Sequence, residues 1–293
     1  METLIGIDLG GTKIAAAAVQ DGKIIAKVVV PTPKDGAESV FKAMIEAAKE
    51  VLRTIPATRV GVGVPGPLDF KKGEIKFAPN INGIVNAPVV AKLSAGLGLH
   101  IELENDANAA GLAEHTYGAG RGASSSYFIT ISTGIGGGII INNRIWRGAN
   151  GIAGEIGHII ALPGGVIAGS GVAGALEAVA SGTAIARDAS YAFARPMETR
   201  EVFALAEAGD WKALKIIDQA AHYIGCAIAD LQKNLDPEVF VLGGGVSEVG
   251  EFFISKIRTV AEAEAKGFAV PIIRKAVLGS DAGVIGAALA ARE

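Results

Sequence analysis

Short apolar runs alternate with glycine-marked turns from the start of the chain. Residues 4–8 form an apolar run that ends in a carboxylate, and they read as a buried strand. Residues 14–19 read as a second strand. Asp21-Gly22 is a two-residue hairpin signal, and residues 23–30 make a third strand. A helix follows, with Asp35 as the expected N-cap and Glu38 three residues on, in capping-box spacing. Val40, Met44, Ile45, Ala48, Val51 and Leu52 share one face of that helix, and Pro56 closes it. Residues 59–64 are the next strand, running into Pro65-Gly66-Pro67. A polar hairpin is expected around residues 71–73. Then come a helix near 88–97, a strand at 100–104 and a helix over 107–117.

From Ser126 the first pattern returns. Strand 127–132, a glycine-rich turn at 134–138, strand 138–142, the turn Asn142-Asn143 and strand 144–146 repeat the order of residues 4–30. An irregular glycine-rich segment covers 148–174. Helical patterns then run to a long helix near 211–234. Strand 239–242, the turn "GGGVS", a helix near 251–265, a strand at 270–277 and a last helix from Ala282 complete the chain. An internal duplication is the most economical reading. It predicts two similar α/β domains around a cleft, residues 1–117 with 280–293 against 118–279, with ligands at the strand ends that face it.

Composition narrows the class. The chain has 293 residues, half of them hydrophobic, which is enough for about two domain cores. Net charge is −3 with both signs interspersed, so no basic stripe points to nucleic acid or an anionic membrane. Cys226 is the only cysteine, which excludes a disulfide within the chain and a cysteine-built metal site. A reducing, cytoplasmic setting is expected. The sequence enters a strand directly, without the charged and apolar regions of a signal peptide, and no charge-free run of about 18 apolar residues suggests a membrane span. Scarce Asn, Gln, Cys and Met lean towards a thermophile. Glycine, at 40 of 293 residues, is about twice its usual ~7% and gathers in a few turns.

Those turns carry the candidate chemistry. In Asp8-Leu9-Gly10-Gly11-Thr12-Lys13 the glycines open the backbone to a ligand, and successive N–H groups form an anion nest. Asp8 is placed to hold Mg²⁺, directly or through water, and Thr12 and Lys13 to donate to phosphate oxygens. A tight hairpin without a ligand is the plain alternative. A second turn, Ser132-Thr133-Gly134-Ile135-Gly136, stands at the equivalent place in the repeat, and Gly243-Gly244-Gly245 follows a third strand. Three such turns suit one polyphosphate. Neither the P-loop spacing nor a dinucleotide fingerprint is present.

In "ELENDANAAG" a strand ends at Glu104 and Asn105-Asp106 opens a helix. That pair serves as an ordinary N-cap, and a carboxylate there is also placed to take a proton from a hydroxyl. Glu155, His158 and Glu177 offer acceptors and donors to a polyol. His158, His100, His115 and His222 each default to a structural role.

Taken together, "IDLGGTK", "GVPGPLD", "ENDANAAGLAE", "TGIGGGI", "GEIGH", "GALEAVASG" and "VLGGGVS" resemble the repressor, ORF and kinase (ROK) family of sugar kinases, over nearly the whole chain. The resemblance implies an ATP-dependent sugar kinase on the duplicated actin-like, hexokinase-type ATPase fold, which is ribonuclease H-like. It implies Asp8 near Mg²⁺, Gly10, Gly11, Thr12 and Lys13 in the first phosphate loop, and Thr133, Gly134 and Gly136 in the second. Gly244 and Gly245 then lie near the adenosine. Asp106 is the implied catalytic base, and Gly66, Asn80, Asn105, Asp106, Glu155, His158 and Glu177 are the implied sugar contacts. A homodimer or homotetramer is implied as well.

Two departures matter. The family's zinc motif is a histidine followed by Cys-x-Cys-Gly-x-x-Gly-Cys-x-Glu. Here Ala168, Ser170 and Ala175 stand where the three cysteines would be, while the glycines and Glu177 remain. Structural zinc needs four ligands, so no zinc is expected, and packing of Val172, Ala173 and Leu176 is expected to hold the loop instead. The second departure is Ile84-Val85 where family kinases often carry a tryptophan.

The leading expectation is an ATP:hexose 6-phosphotransferase acting on glucose, with mannose, fructose and glucosamine as further substrates. The alternative is a kinase for ManNAc or GlcNAc, separated only by space around C2 of the sugar. A sugar-responsive repressor would carry an added DNA-binding segment, for which the residues before the first strand leave no room. A catalytically dead sugar-binding module is disfavoured by Asp106 and the two phosphate loops.

Overall fold

The structure is a computed structural model, and it describes residues 2–78 and 80–292. Its elements begin with β1 (Leu4–Leu9), β2 (Lys13–Gln20), β3 (Lys23–Pro31), α1 (Ala37–Thr54), β4 (Arg59–Val64), β5 (Leu68–Asp69) and β6 (Glu74–Phe77). They continue with β7 (Val85–Ala87), α2 (Val89–Leu97), β8 (His100–Asn105) and α3 (Asp106–Tyr117). The repeat supplies β9 (Ser125–Ile131), β10 (Ile135–Ile141) and β11 (Arg144–Ile145). After it come α4 (Leu176–Ala180), α5 (Gly182–Phe193), α6 (Thr199–Glu207), α7 (Trp211–Leu235), β12 (Val239–Gly243), α8 (Glu251–Glu264), β13 (Ile273–Lys275) and α9 (Ala282–Ala290).

Two five-stranded sheets have the same order, β3-β2-β1-β4-β8 and β11-β10-β9-β12-β13. The duplication read from the sequence is therefore a duplication of topology. β1 pairs antiparallel with β2 and parallel with β4, and β4 is parallel to β8. In the second sheet β12 is parallel to both β9 and β13. The central strands β1 and β4 are buried along nearly their whole length, whereas the edge strand β3 alternates between exposed and half-buried positions. The letters of β3 do not show this alternation, since its exposed positions include Ile25 and Val29.

The chain divides into two compact units, Met1–Arg121 with Gly138–Ala153 and Ser280–Glu293, and Gly122–Gly137 with Gly154–Gly279. The expected division differs from this chiefly in residues 138–153. Their grouping has a local cause: Gly138 lies against the α3 backbone, where an added Cβ would come within 2.9 Å of Asn108 Cα. In the first unit α9 lies on β1 and β4 at backbone contact. A Cβ on Gly6 would stand 2.0 Å from the Val284 carbonyl, and one on Gly61 1.8 Å from that of Ala287. On its other side, a Cβ on Gly286 would meet the Ala109 carbonyl of α3 at 1.7 Å. No side chain fits at these positions, so α3, α9 and the sheet form one rigid stack under the β8–α3 junction.

Three local expectations change. Asp35 does not cap α1: Gly36 holds the N-cap position, and Asp35 instead accepts from Ser39 Oγ at 2.8 Å. The strand expected over 270–277 shortens to β13, because Pro271 has no N–H to give a ladder. Asp106 is inside α3 rather than before it, and Asn105 is the cap. No helix among the described residues is long and apolar enough to cross a membrane.

Candidate active site

In the first unit the turn between β1 and β2 is a tight hairpin. Gly10 N–H donates to the Lys13 carbonyl at 2.9 Å, and Leu9 pairs with Ile14. Thr32, at the end of β3, holds both sides of the turn. Its hydroxyl donates to Gly10 O at 2.7 Å, and its N–H donates to Thr12 O at 3.0 Å. Gly11, Thr12 and Lys13 are left exposed at the tip. Asp8, one step before the turn, is half-buried, and burial pushes its carboxyl up to about 6 against the opposing pull of Lys13 and Lys27. Gly283, in the first turn of α9, faces it closely; an added Cβ would come within 2.7 Å of Asp8 Oδ2. Asn80 is exposed beside Gly11, 3.4 Å from where a Cβ would sit there.

The β8–α3 junction divides its work between neighbours. Asn105 Oδ1 accepts from Ala107 N–H at 2.9 Å and Asn108 N–H at 3.2 Å, which satisfies orphan donors at the helix start. Asn105 Nδ2 reaches the Gly66 carbonyl at 3.5 Å. Gly66 has φ +90°, and a Cβ on it would lie 2.1 Å from the Phe77 carbonyl, so only glycine brings the "GVPGP" loop this close. Asn105 acts as the cap, and Asp106 Oδ1 accepts from the neighbouring Ala107 N–H at 2.8 Å.

Behind this junction lies a buried ionic network that the sequence reading missed. Glu104 is fully buried. Its Oε1 accepts from Asn105 N–H at 2.8 Å and Asn108 Nδ2 at 2.9 Å, and its Oε2 meets Arg147 Nε at 2.7 Å and its terminal nitrogen at 2.6 Å. The Arg147 guanidinium lies 5.4 Å from the centre of the Phe70 ring. Burial raises the Glu104 carboxyl above the usual range, and Arg147 and the donor hydrogen bonds pull against that. The only advance signal was the acid inside "ELENDAN"; Arg147 lies 43 residues away and gave none.

In the second unit the turn from 132 to 136 is gripped from α4 and α5. Ser132 N–H donates to Gly134 O at 2.9 Å, Gly182 N–H to Ser132 O at 2.8 Å, and Thr183 Oγ1 to Thr133 O at 2.8 Å. Gly244, at φ +87°, brings the third turn against it: a Cβ there would meet the Ile131 carbonyl at 2.4 Å. A cavity of about 790 Å³ opens beside them, within the size range of small-molecule sites. Thr133 and Gly245 line it, together with Thr183, Met197, Phe203 and Val246. Gly134, Gly136 and Gly244 do not line it. The wall made by α5 and α6 was not legible beforehand, since those helices carry ordinary amphipathic patterns.

The chain's remaining polyol candidates lie in the same unit. Glu155 precedes a single 3-10 turn, Ile156–His158, that brings His158 Nε2 to 3.8 Å from Glu155 Oε2. Burial, and repulsion by Glu177, push the Glu155 carboxyl up, while His158 draws it down. Glu177, in the first turn of α4, accepts from Ile135 N–H at 3.0 Å. Of the other histidines, His115 is buried and within 3.1 Å of Asn143 Oδ1, and His100 pairs with Glu102 at the surface.

The sequence pattern of the ROK family matches residues 4–293. The chain belongs to the ROK family. A glucokinase of Halalkalibacterium halodurans is 38% identical over 96% of this chain and 92% of its own. An N-acetylmannosamine kinase of Haemophilus influenzae is 35% identical over 97% of this chain and 93% of its own. Among solved structures, a ROK hexokinase from Thermus thermophilus is 47% identical, covers 99% of this chain and 98% of its own, and superposes with a TM-score of 0.93. A ROK glucokinase from Streptomyces griseus, in complex with glucose and AMPPNP, is 36% identical, covers 99% of both chains and has a TM-score of 0.87. The two sheets of equal order are thus the duplicated actin-like ATPase fold of the ROK sugar kinases.

The ROK zinc motif has lost its ligands here, and the donor set does not fit the metal. Ala168 and Ala175, two of the cysteine replacements, are buried with Ala178 in a small apolar cluster on which Val172 packs. Ser170 is exposed. Among the described residues no group of three or more His, Cys, Asp or Glu stands close enough to hold a metal ion. Backbone bonds shape the loop: Ala168 N–H donates to Val172 O at 2.8 Å and Gly174 N–H to Val166 O at 2.8 Å. Leu176 is buried as expected, but Ala173 is exposed and contributes through its backbone bridge to Ile167.

Proposed function

We propose that this protein transfers the γ-phosphoryl group of ATP to the 6-hydroxyl of a hexose, glucose first, in a cytoplasmic setting and as a homo-oligomer. The carrying observation is that in both sheets of equal order the first strand runs into a glycine turn, at 10–13 and at 132–136, whose residues 11–13 and 132–133 are exposed. The full-length likeness to glucokinases and to a ROK hexokinase supports the same reading. Gly10, Gly11, Thr12 and Lys13 of the first turn and Thr133, Gly134 and Gly136 of the second are the proposed donors to phosphate oxygens. The cavity beside Thr133 and Gly245 takes the nucleoside, with Gly244 setting the backbone behind it. Mg²⁺ suits Asp8, since that ion keeps most of its waters and needs only one or two carboxylates besides phosphate. When bound, it neutralises the charge of the transferring phosphoryl group.

Asp106 accepts the proton of the attacking hydroxyl, and Gly66, Asn80, Asn105, Glu155, His158 and Glu177 orient the sugar. Positioning and charge neutralisation supply the rate. The deciding experiment is ADP release with ATP and Mg²⁺ across glucose, mannose, fructose, glucosamine, GlcNAc and ManNAc. Turnover on the unsubstituted hexoses is expected. Turnover confined to the N-acetylated sugars would move the protein to amino-sugar phosphorylation, a reading favoured by its likeness to an N-acetylmannosamine kinase.

Two further outcomes are expected. Metal analysis of the purified protein yields no stoichiometric zinc, and a chelator leaves its melting temperature unchanged. Sugar binding is pH-dependent through Glu155. Its carboxyl is raised, so it takes up its proton at a higher pH than the ordinary 4.5 and loses acceptor strength early on acidification. Glucose affinity followed by titration calorimetry from pH 8 to pH 5 should weaken earlier than an exposed glutamate would dictate. Glu155→Gln should flatten that limb, and an unchanged limb in the variant would acquit Glu155.

A further inference from the structure

Glu177 is read above as a sugar contact, yet its carboxylate is already engaged with the second glycine turn. Oε2 accepts from Ile135 N–H at 3.0 Å. The same oxygen lies 2.1 Å from where a Cβ on Gly134 would be, with Cδ at 3.1 Å, so the carboxylate approaches Gly134 end-on through Oε2. Gly134 has no left-handed φ to require glycine, and a side chain there would have to displace the Glu177 carboxylate. The residues that follow Glu177 complete the grip, since Gly182 and Thr183 bind the Ser132 and Thr133 carbonyls. The stretch from Glu177 to Thr183 therefore fastens the turn at both ends, with Glu177 the charged residue of that stretch.

Resting on the kinase reading, we infer that Glu177 is a positioning residue for the nucleotide turn as well as a sugar contact. One oxygen, Oε2, holds the Gly134-Ile135 peptide and so sets the direction of the neighbouring N–H groups toward phosphate. The other, Oε1, is left to a sugar hydroxyl. A single carboxylate then joins the two subsites, and by linkage each ligand raises or lowers the affinity for the other by the same factor.

A residue that served the sugar alone would not affect nucleotide binding when no sugar is present. The test is titration calorimetry of Mg·ADP without sugar, in the full chain and in Glu177→Ala, Glu177→Asp and Glu177→Gln, with glucose titrated separately. Glutamine keeps an acceptor oxygen at the right reach, whereas aspartate is one methylene short and alanine has none. Expected are a Kd for Mg·ADP about tenfold weaker in the Ala and Asp variants and within about threefold of the parent in Gln, with glucose binding weakened in all three. The Asp variant keeps the test open if Ala fails to fold. Parent-like Mg·ADP binding in Ala or Asp, with glucose affinity lost, would confine Glu177 to the sugar. A Gln variant as weak as Ala would overturn the role of the Ile135 hydrogen bond. A parent protein that binds no Mg·ADP would instead overturn the kinase reading itself.

Discussion

Asp106→Asn is expected to lower kcat by about 10²- to 10⁴-fold, the range a positioned general base contributes, while glucose affinity stays within a few-fold. The substitution keeps size and hydrogen-bonding reach and removes only the ability to take a proton. It also leaves the helix start intact, because Asn105 supplies the cap that holds α3. Steady-state kinetics with a parallel glucose titration separates the two effects. Retained turnover would remove Asp106 as the base, and lost glucose binding would recast it as a sugar ligand. The companion variant Asn105→Ala behaves differently in this scheme, since it loses a cap and the tie to Gly66 at once.

Arg147→Met is expected to cost about 3 kcal/mol of stability, the low end for stripping the partner from a buried charge. The low end applies because Asn108 and the Asn105 N–H still donate to Glu104. At the usual few degrees per kcal/mol, the melting temperature falls by roughly 10 °C. The loss depends on pH with a definite sign. The Glu104 carboxyl is already raised by burial, and removing Arg147 raises it further. The folded state then holds the proton that the unfolded state releases, so stability falls as pH rises from the ordinary 4.5 through the raised value. The deficit is thus larger at pH 8 than at pH 5.5. Adding Glu104→Gln to Arg147→Met removes the stranded charge and should recover part of the loss. Thermal melts of the single and double variants at both pH values check this, and an equal deficit at pH 8 and pH 5.5 would show that losing Arg147 does not change the protonation of Glu104 over that range.

This network matters for the reaction because Glu104 and Asp106 flank the same strand-to-helix corner. Glu104 points into the core and ties the corner to Arg147, while Asn105 caps the helix and reaches Gly66. They fix the corner from which Asp106 projects, which is what the proposed role of Asp106 as the base requires.

Much of this was written locally in the chain. The glycine turns, the Asp21-Gly22 and Asn142-Asn143 hairpin turns and the apolar runs specify their own backbone conformations within a few residues. The repeated order of strands and turns was enough to read the duplication that the two sheets display. The loss of three cysteines in the "AGSGVAGALE" loop was likewise visible one letter at a time. Tertiary structure decided the pairings between distant residues: Glu104 with Arg147, Glu177 with Ile135, Thr32 with Gly10, and α9 with the backbone of β1 and β4. It also decided that Asn105 caps α3, with Asp106 its first residue, and that α5 and α6 wall the cavity beside Thr133. The reason is one of range. Propensity and periodicity act over a few residues, whereas sheet register and burial bring together groups forty or more positions apart, and no local pattern encodes which partner a buried charge will find.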